Sequence, residues 1–134
     1  MNYSIITGAE NFKIDEVMSL LATTYWAQNR PKDTVLKSMQ NSVCCGIRLE
    51  ESKKLVGFAR VISDFATTYY ICDVVVDEKY RKCGFGKALI SHIENSPEYK
   101  GLRGVLITRD AHGLYEKFGY KTLDGRAMVK GLNC

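Results

Sequence analysis

CDVVVDEKYRKCGFGKAL, from Cys72 to Leu89, decides the reading of this chain. A valine-rich apolar run meets a charged turn, and two glycines, Gly84 and Gly86, then open an amphipathic segment. The order predicts a buried strand that delivers the backbone into a glycine loop at a helix start. The first-turn N–H groups of such a helix lack intrahelical partners, and its dipole is positive at that end. Lys79, Arg81, Lys82 and Lys87 crowd the same place, so a ligand carrying phosphates is expected there.

Two familiar phosphate loops require other spacings. A P-loop needs a glycine where Arg81 stands and a Ser or Thr where Ala88 stands. A dinucleotide fingerprint needs a third glycine at Leu89 and an acidic residue closing a βαβ unit near the chain start. What remains is Arg81-x-x-Gly84-x-Gly86, which resembles the Q/R-x-x-G-x-G/A signature of the GNAT acetyltransferases. Downstream, AHGLYEKFGY (Ala111 to Tyr120) resembles that family's A-x-x-L-Y-x-K-x-G-F helix, with Tyr120 in place of the Phe.

Composition bounds the answer independently. The chain has 134 residues, of which 46% are hydrophobic and 25% charged, which suits one globular domain over residues 1–134. No run of 18 apolar residues and no signal-peptide pattern is present, so a soluble cytoplasmic protein without membrane contact is expected. A net charge of +4 with no long basic run argues against a nucleic-acid partner and suits a small polyanion. The five cysteines are odd in number and contain no C-x-x-C pair, so they read as reduced thiols, with neither metal site nor disulfide framework.

Taken in order, Tyr3 to Thr7 reads as a strand and Phe12 to Thr24 as an amphipathic helix. Pro31 opens a second helix over Lys32 to Asn41. Val43 to Glu50 and Leu55 to Asp64 form a hairpin, with Gly57 marking a bulge or a close backbone approach. Tyr69 to Asp77 completes an antiparallel meander, and Gly86 to Asn95 is the helix after the glycine loop. Leu102 to Thr108 then lies parallel to the strand before that helix, because the helix is its crossover. Asp110 caps a last helix that ends near Phe118 with Gly119 as its C-cap, and Tyr120 to Leu123 and Ala127 to Leu132 make a terminal hairpin. This order matches an α+β, mixed α/β GNAT-like fold: a central, mainly antiparallel sheet with two splayed parallel strands and helices on both faces.

The resemblance implies acetyl-CoA as co-substrate, with an amine of a small molecule or protein as acceptor. The pantetheine arm would lie along Val74, Val75 and Val76, and the pyrophosphate on Arg81, Lys82, Cys83, Gly84, Phe85, Gly86, Lys87 and Ala88. Thr108, Ala111, Leu114 and Tyr115 would complete the cofactor side, although Thr108 replaces a common asparagine. Tyr115 matches the family's general acid. The base is not apparent: Tyr70 and Cys72 occupy positions where several members carry a carboxylate or histidine. Asp73 is the nearby carboxylate and the second catalytic candidate, yet strict alternation puts it on the face opposite Tyr70 and Cys72 unless the strand bulges. Buried in an apolar strand it needs a partner, for which Arg60, Arg109 or a substrate amine could serve. Trp26 and Arg30, between the first two helices, would border the acceptor together with Tyr70 and Arg109. A non-catalytic acyl-CoA-binding module of the same fold is the competing reading, and either a monomer or a homodimer fits the family.

Overall fold

In the computed structural model, which describes residues 1–131, five strands form one sheet in sequence order. They are β1 Tyr3–Thr7, β2 Val43–Leu49, β3 Leu55–Ser63, β4 Thr68–Val76 and β5 Arg103–Leu106. The first four pair antiparallel, whereas β5 joins β4 in parallel. The helices are α1 Ile14–Leu21, α2 Lys32–Gln40, α3 Phe85–Glu94 and α4 His112–Glu116.

Alternation on the strands sends side chains to two separate cores. Cys44, Phe58 and Val75 face α1 and α2, packing with Val17, Leu20, Leu21, Val35 and Met39. Cys45, Ile47, Val61 and Ile71 face the other way and pack with Leu89, Ile90 and Ile93 of α3 and Tyr115 of α4. Helices therefore cover both faces of the sheet, as expected, and the adjacent Cys44 and Cys45 belong to opposite cores. Gly57 sits beside a bulge at Ile47/Arg48, where a Cβ would stand 3.2 Å from both Ile47 and Leu89.

The α3 face is closed by a polar clamp. Glu94 accepts hydrogen bonds from the Tyr69 hydroxyl at 2.6 Å and the Tyr120 hydroxyl at 2.8 Å. These bonds tie β4, α3 and the segment after α4 together. Gly104 on β5 lies directly beneath them, so a methyl group there would collide with the Tyr120 hydroxyl and the Tyr69 ring.

The sequence expectation departs from the structure at two places. The strands of a terminal hairpin are absent among the described residues, although Gly125 does make the expected turn with φ 71°. Tyr120 is committed to Glu94, and residues 121–131 are exposed, with Met128 at 96%, so neither arm has an apolar face to bury. Leu132, the expected end of the second arm, lies outside the described residues. Nor does Asp110 cap α4: Ala111 occupies that position, and its N–H is taken by the Thr108 hydroxyl at 3.0 Å.

The crowding at Gly104 gives a direct test. Gly104→Ala should destabilise the protein by about 1–3 kcal/mol, the usual cost of overpacking, and lower the midpoint of a thermal melt followed by circular dichroism. An unchanged midpoint would mean that the clamp is looser than described.

Candidate active site

β4 and β5 pair only from Thr68/Arg103 to Ile71/Leu106. Among the described residues no strand pairs with the β5 side of β4 beyond Ile71, and the two parallel strands splay as expected. A pocket of about 230 Å³ occupies the gap. Its wall includes Trp26 and Asp73 from the α1 side of the sheet, and Val74, Ala111 and Tyr115 from the α3 side. The splay thus lets one cavity run through the sheet, so that ligands entering from the two faces can meet.

The floor is built on a β-bulge in β4. Phe58 pairs with Val75 but Arg60 pairs with Cys72, which leaves Asp73 as the extra residue, in the left-handed region with φ 55°. Aspartate tolerates that conformation better than most residues. The bulge reverses the alternation: strict pleating would send Asp73 toward α3, whereas its carboxylate faces the α1–α2 linker. Trp26 Nε1 donates to Oδ1 at 3.1 Å, while Arg30 Nη1 and Arg60 Nε both donate to Oδ2 at 2.8 Å.

These partners make Asp73 an ion-paired anchor within the sheet. Its side chain is only 4% exposed. Burial works to raise its pKa, but the Arg30 hydrogen bond and the charge and hydrogen bond of Arg60 outweigh that and hold it below the ordinary value. A carboxylate already holding three donors is an anchor and a poor base. Arg60 and Arg30 are its partners. Arg109 instead lays its guanidinium over the Tyr25 ring, 3.6 Å from the centroid, and links the β5–α4 loop to the α1–α2 linker at the pocket rim.

The remaining candidates divide by location. Tyr70, Thr108 and Ala111 line the pocket with Val74 and Tyr115. Burial, followed by the charge of Asp110, pushes the Tyr115 phenol up to about 12, so it keeps its proton across the physiological range. Val75 turns into the α1-side core, and Phe85 is buried against α3-side neighbours and the Tyr3 ring. Those two residues can offer a ligand only their backbones. Leu114 packs at the start of α3, within 3.9 Å of where a Gly86 Cβ would be. Cys72 also lines the pocket, but burial pushes its thiol up to about 12 against the opposing pull of Arg60, so it is no ready nucleophile.

The glycine loop fits a bound pyrophosphate. Gly84, with φ 80°, is the N-cap of α3, and no side chain among the described residues caps that end. A Cβ at Gly84 would point into open space, and one at Gly86 would meet only ordinary contacts at 3.9 Å. Packing therefore does not demand glycine at position 86, whereas close approach of a ligand would. Cys83 is exposed in the same loop, and Arg81, Lys82 and Lys87 flank it with positive charge; Ala88 closes the first turn by donating to the Gly84 carbonyl at 2.9 Å.

Tyr25 and Arg60 line the pocket, although sequence reasoning gave Tyr25 no role and Arg60 only that of a possible partner for Asp73. The available signal was Arg60, a lone cation in the otherwise apolar strand LVGFARVIS, which requires a buried anion nearby.

Residues 14–120 match the model of the acetyltransferase (GNAT) family. A ycf52-like N-acetyltransferase of Prochlorococcus marinus is 33% identical over 79% of this chain and 60% of its own length. The chloroplastic GCN5-related N-acetyltransferase 1 of Arabidopsis thaliana is 23% identical over 83% of this chain and 57% of its own. The chain thus spans less than two thirds of the length of these relatives. The crystal structure of a GNAT-family protein from Xanthomonas campestris pv. campestris superposes with a TM-score of 0.90 at 32% identity, covering 98% of this chain and 94% of that one.

Breaking the anchor should be costly. Asp73→Asn leaves two guanidinium groups unbalanced and should destabilise the protein by about 3 kcal/mol, at the lower end for a buried ion pair because Arg30 is partly solvated. The sign with pH follows from the lowered pKa: Asp73 stabilises fully above the ordinary carboxyl value of about 3.9, and the benefit is lost as pH falls through its folded pKa. Urea melts of both proteins should therefore differ at pH 7 and converge in acid. A constant difference down to pH 2 would contradict the ion-paired assignment.

Proposed function

The chain belongs to the GNAT acetyltransferase family, and from that premise we propose that it moves an acetyl group from acetyl-CoA to a primary amine by direct attack, with both substrates bound together. The observation that carries this reading is the pocket at the β4/β5 splay, with a protonated tyrosine on one wall and the α1–α2 linker on the other. Acetyl-CoA, when bound, supplies a thioester carbonyl open to an amine and a thiol as leaving group.

The chain's residues divide the work. The uncapped α3 start and Arg81, Lys82 and Lys87 hold the phosphates, and the unpaired β4 edge at Val74 to Val76 offers backbone groups to an extended arm. An N–H on that edge would also favour negative charge growing on an acyl oxygen. Tyr115 holds a hydroxyl proton at the wall. Full transfer from a phenol near 12 to a thiolate, whose thiol has a pKa of about 8.5, is uphill, so Tyr115 acts chiefly by donating a hydrogen bond as charge builds on sulfur. Direct attack is favoured over an acyl-enzyme because Cys72 is held as a neutral thiol.

Release of free thiol from acetyl-CoA, measured against a panel of amines, tests the activity. Amine-dependent release is expected. Saturable acetyl-CoA binding without any release would overturn it in favour of a non-catalytic acyl-CoA-binding module. Tyr115→Phe should lower kcat by about 10²-fold with the acetyl-CoA KM little changed, the pattern of an interaction made in the transition state. Cys72→Ser should keep most of the activity; its loss would point to an acyl-enzyme.

Gly86→Ala separates folding from cofactor grip. Alanine fits there and favours a helix by up to about 1 kcal/mol, so the melting point should hold or rise. Acetyl-CoA affinity measured by calorimetry should nevertheless fall at least about tenfold, and unchanged affinity would remove the loop as the phosphate site.

A further inference from the structure

The Asp73 anchor leaves an imbalance inside the pocket. Two guanidinium groups share one carboxylate, so the floor carries an excess positive charge. The hydrogen bonds of these arginines among the described residues are few. Arg30 gives Nη1 to Asp73, while Arg60 gives Nε to Asp73 and Nη1 to the Ser42 hydroxyl at 2.9 Å. Nε and Nη2 of Arg30 and Nη2 of Arg60 have no partner among those residues. A guanidinium carries five N–H donors in a fork that matches a carboxylate, and both side chains line the pocket, 22% and 12% exposed.

A second pole lies across the same cavity. Asp110 is exposed at the mouth, lines the wall near Tyr115, and makes no ion pair among the described residues. An acceptor bearing only positive charge would meet Asp110 at the mouth but an unbalanced cationic floor beyond it. One that also carries an acid group would satisfy both poles. The roughly 230 Å³ of space suits a small molecule.

We propose that the acceptor is a small zwitterionic amine, its acid group held by the spare donors of Arg30 and Arg60 and its ammonium drawn to Asp110. This rests on the acetyl-transfer reading for the fate of the amine, but its recognition element stands apart from the chemistry.

Matched pairs provide the test: amino acids against the amines obtained by removing their carboxyl groups, such as histidine with histamine, tyrosine with tyramine and lysine with cadaverine, extended over the common set. Trp26 is the chain's only tryptophan and lines the pocket, so its fluorescence reports binding without turnover. At least one acid member should shift Trp26 emission saturably, and bind at least about tenfold more tightly than its decarboxylated partner, as expected for a charge-assisted hydrogen bond. Arg30→Gln should bring the pair to within about twofold, while Arg30→Lys, which keeps the ion pair with Asp73, should retain part of the preference. Equal binding of the two members, preference for the decarboxylated ones, or no response to any acid at millimolar concentration overturns the proposal. Thiol release in the same samples separates the two readings. Acid-selective binding without release fails acetyl transfer alone, and acetylation that ignores the carboxyl group fails this inference alone.

Discussion

The buried carboxylate of Asp73 governs the half of the molecule that carries the site. Once an aspartate lies in the fourth strand its charge must be matched, because burying an isolated ion costs far more than the whole stability of a domain of this size. The match comes from three directions: Arg60 on the neighbouring strand, and Trp26 and Arg30 on the linker between the first two helices. That arrangement is reached only because the strand bulges and turns Asp73 toward them. The left-handed backbone at Asp73 costs about 1 kcal/mol or more, offset by charge-assisted hydrogen bonds.

The same interaction shapes the cavity. By pinning the linker to the fourth strand it sets Trp26 and Arg30 as one wall, while the last helix sets Tyr115 as the other. Where the fourth and fifth strands part, these walls face each other through the sheet. The ion cluster also leaves a positive floor in a cavity whose other wall carries the neutral phenol of Tyr115.

Much of this was legible in the sequence, for identifiable reasons. The meander and the parallel fifth strand follow from apolar periodicity and the handedness of crossovers, which act locally. The glycine loop and the helix bearing Tyr115 were legible because each is carried by a short pattern, Arg81-x-x-Gly84-x-Gly86 and Ala111 to Tyr120. The orientation of Asp73 was not, since a bulge is chosen by its long-range partners Trp26 and Arg30, which lie 47 and 43 residues away. The terminal hairpin misled because Asp124-Gly125-Arg126 forms a true turn, but the flanking segments have no core to face. Tyr120, which reads as the start of a strand, is instead spent on Glu94.

One cavity at the splayed sheet lies between Tyr115 and the Asp73 cluster, and the proposed cofactor would reach it along the fourth strand with its phosphates at the start of the third helix. A crystal structure with acetyl-CoA tests it most directly. The pyrophosphate should rest on the amides of residues 84 to 88, the extended arm should pair with the free edge at Val74 to Val76, and the acetyl group should end between Tyr115 and the Asp73 cluster. A cofactor bound elsewhere, or an acetyl group pointing away from that wall, would contradict the account.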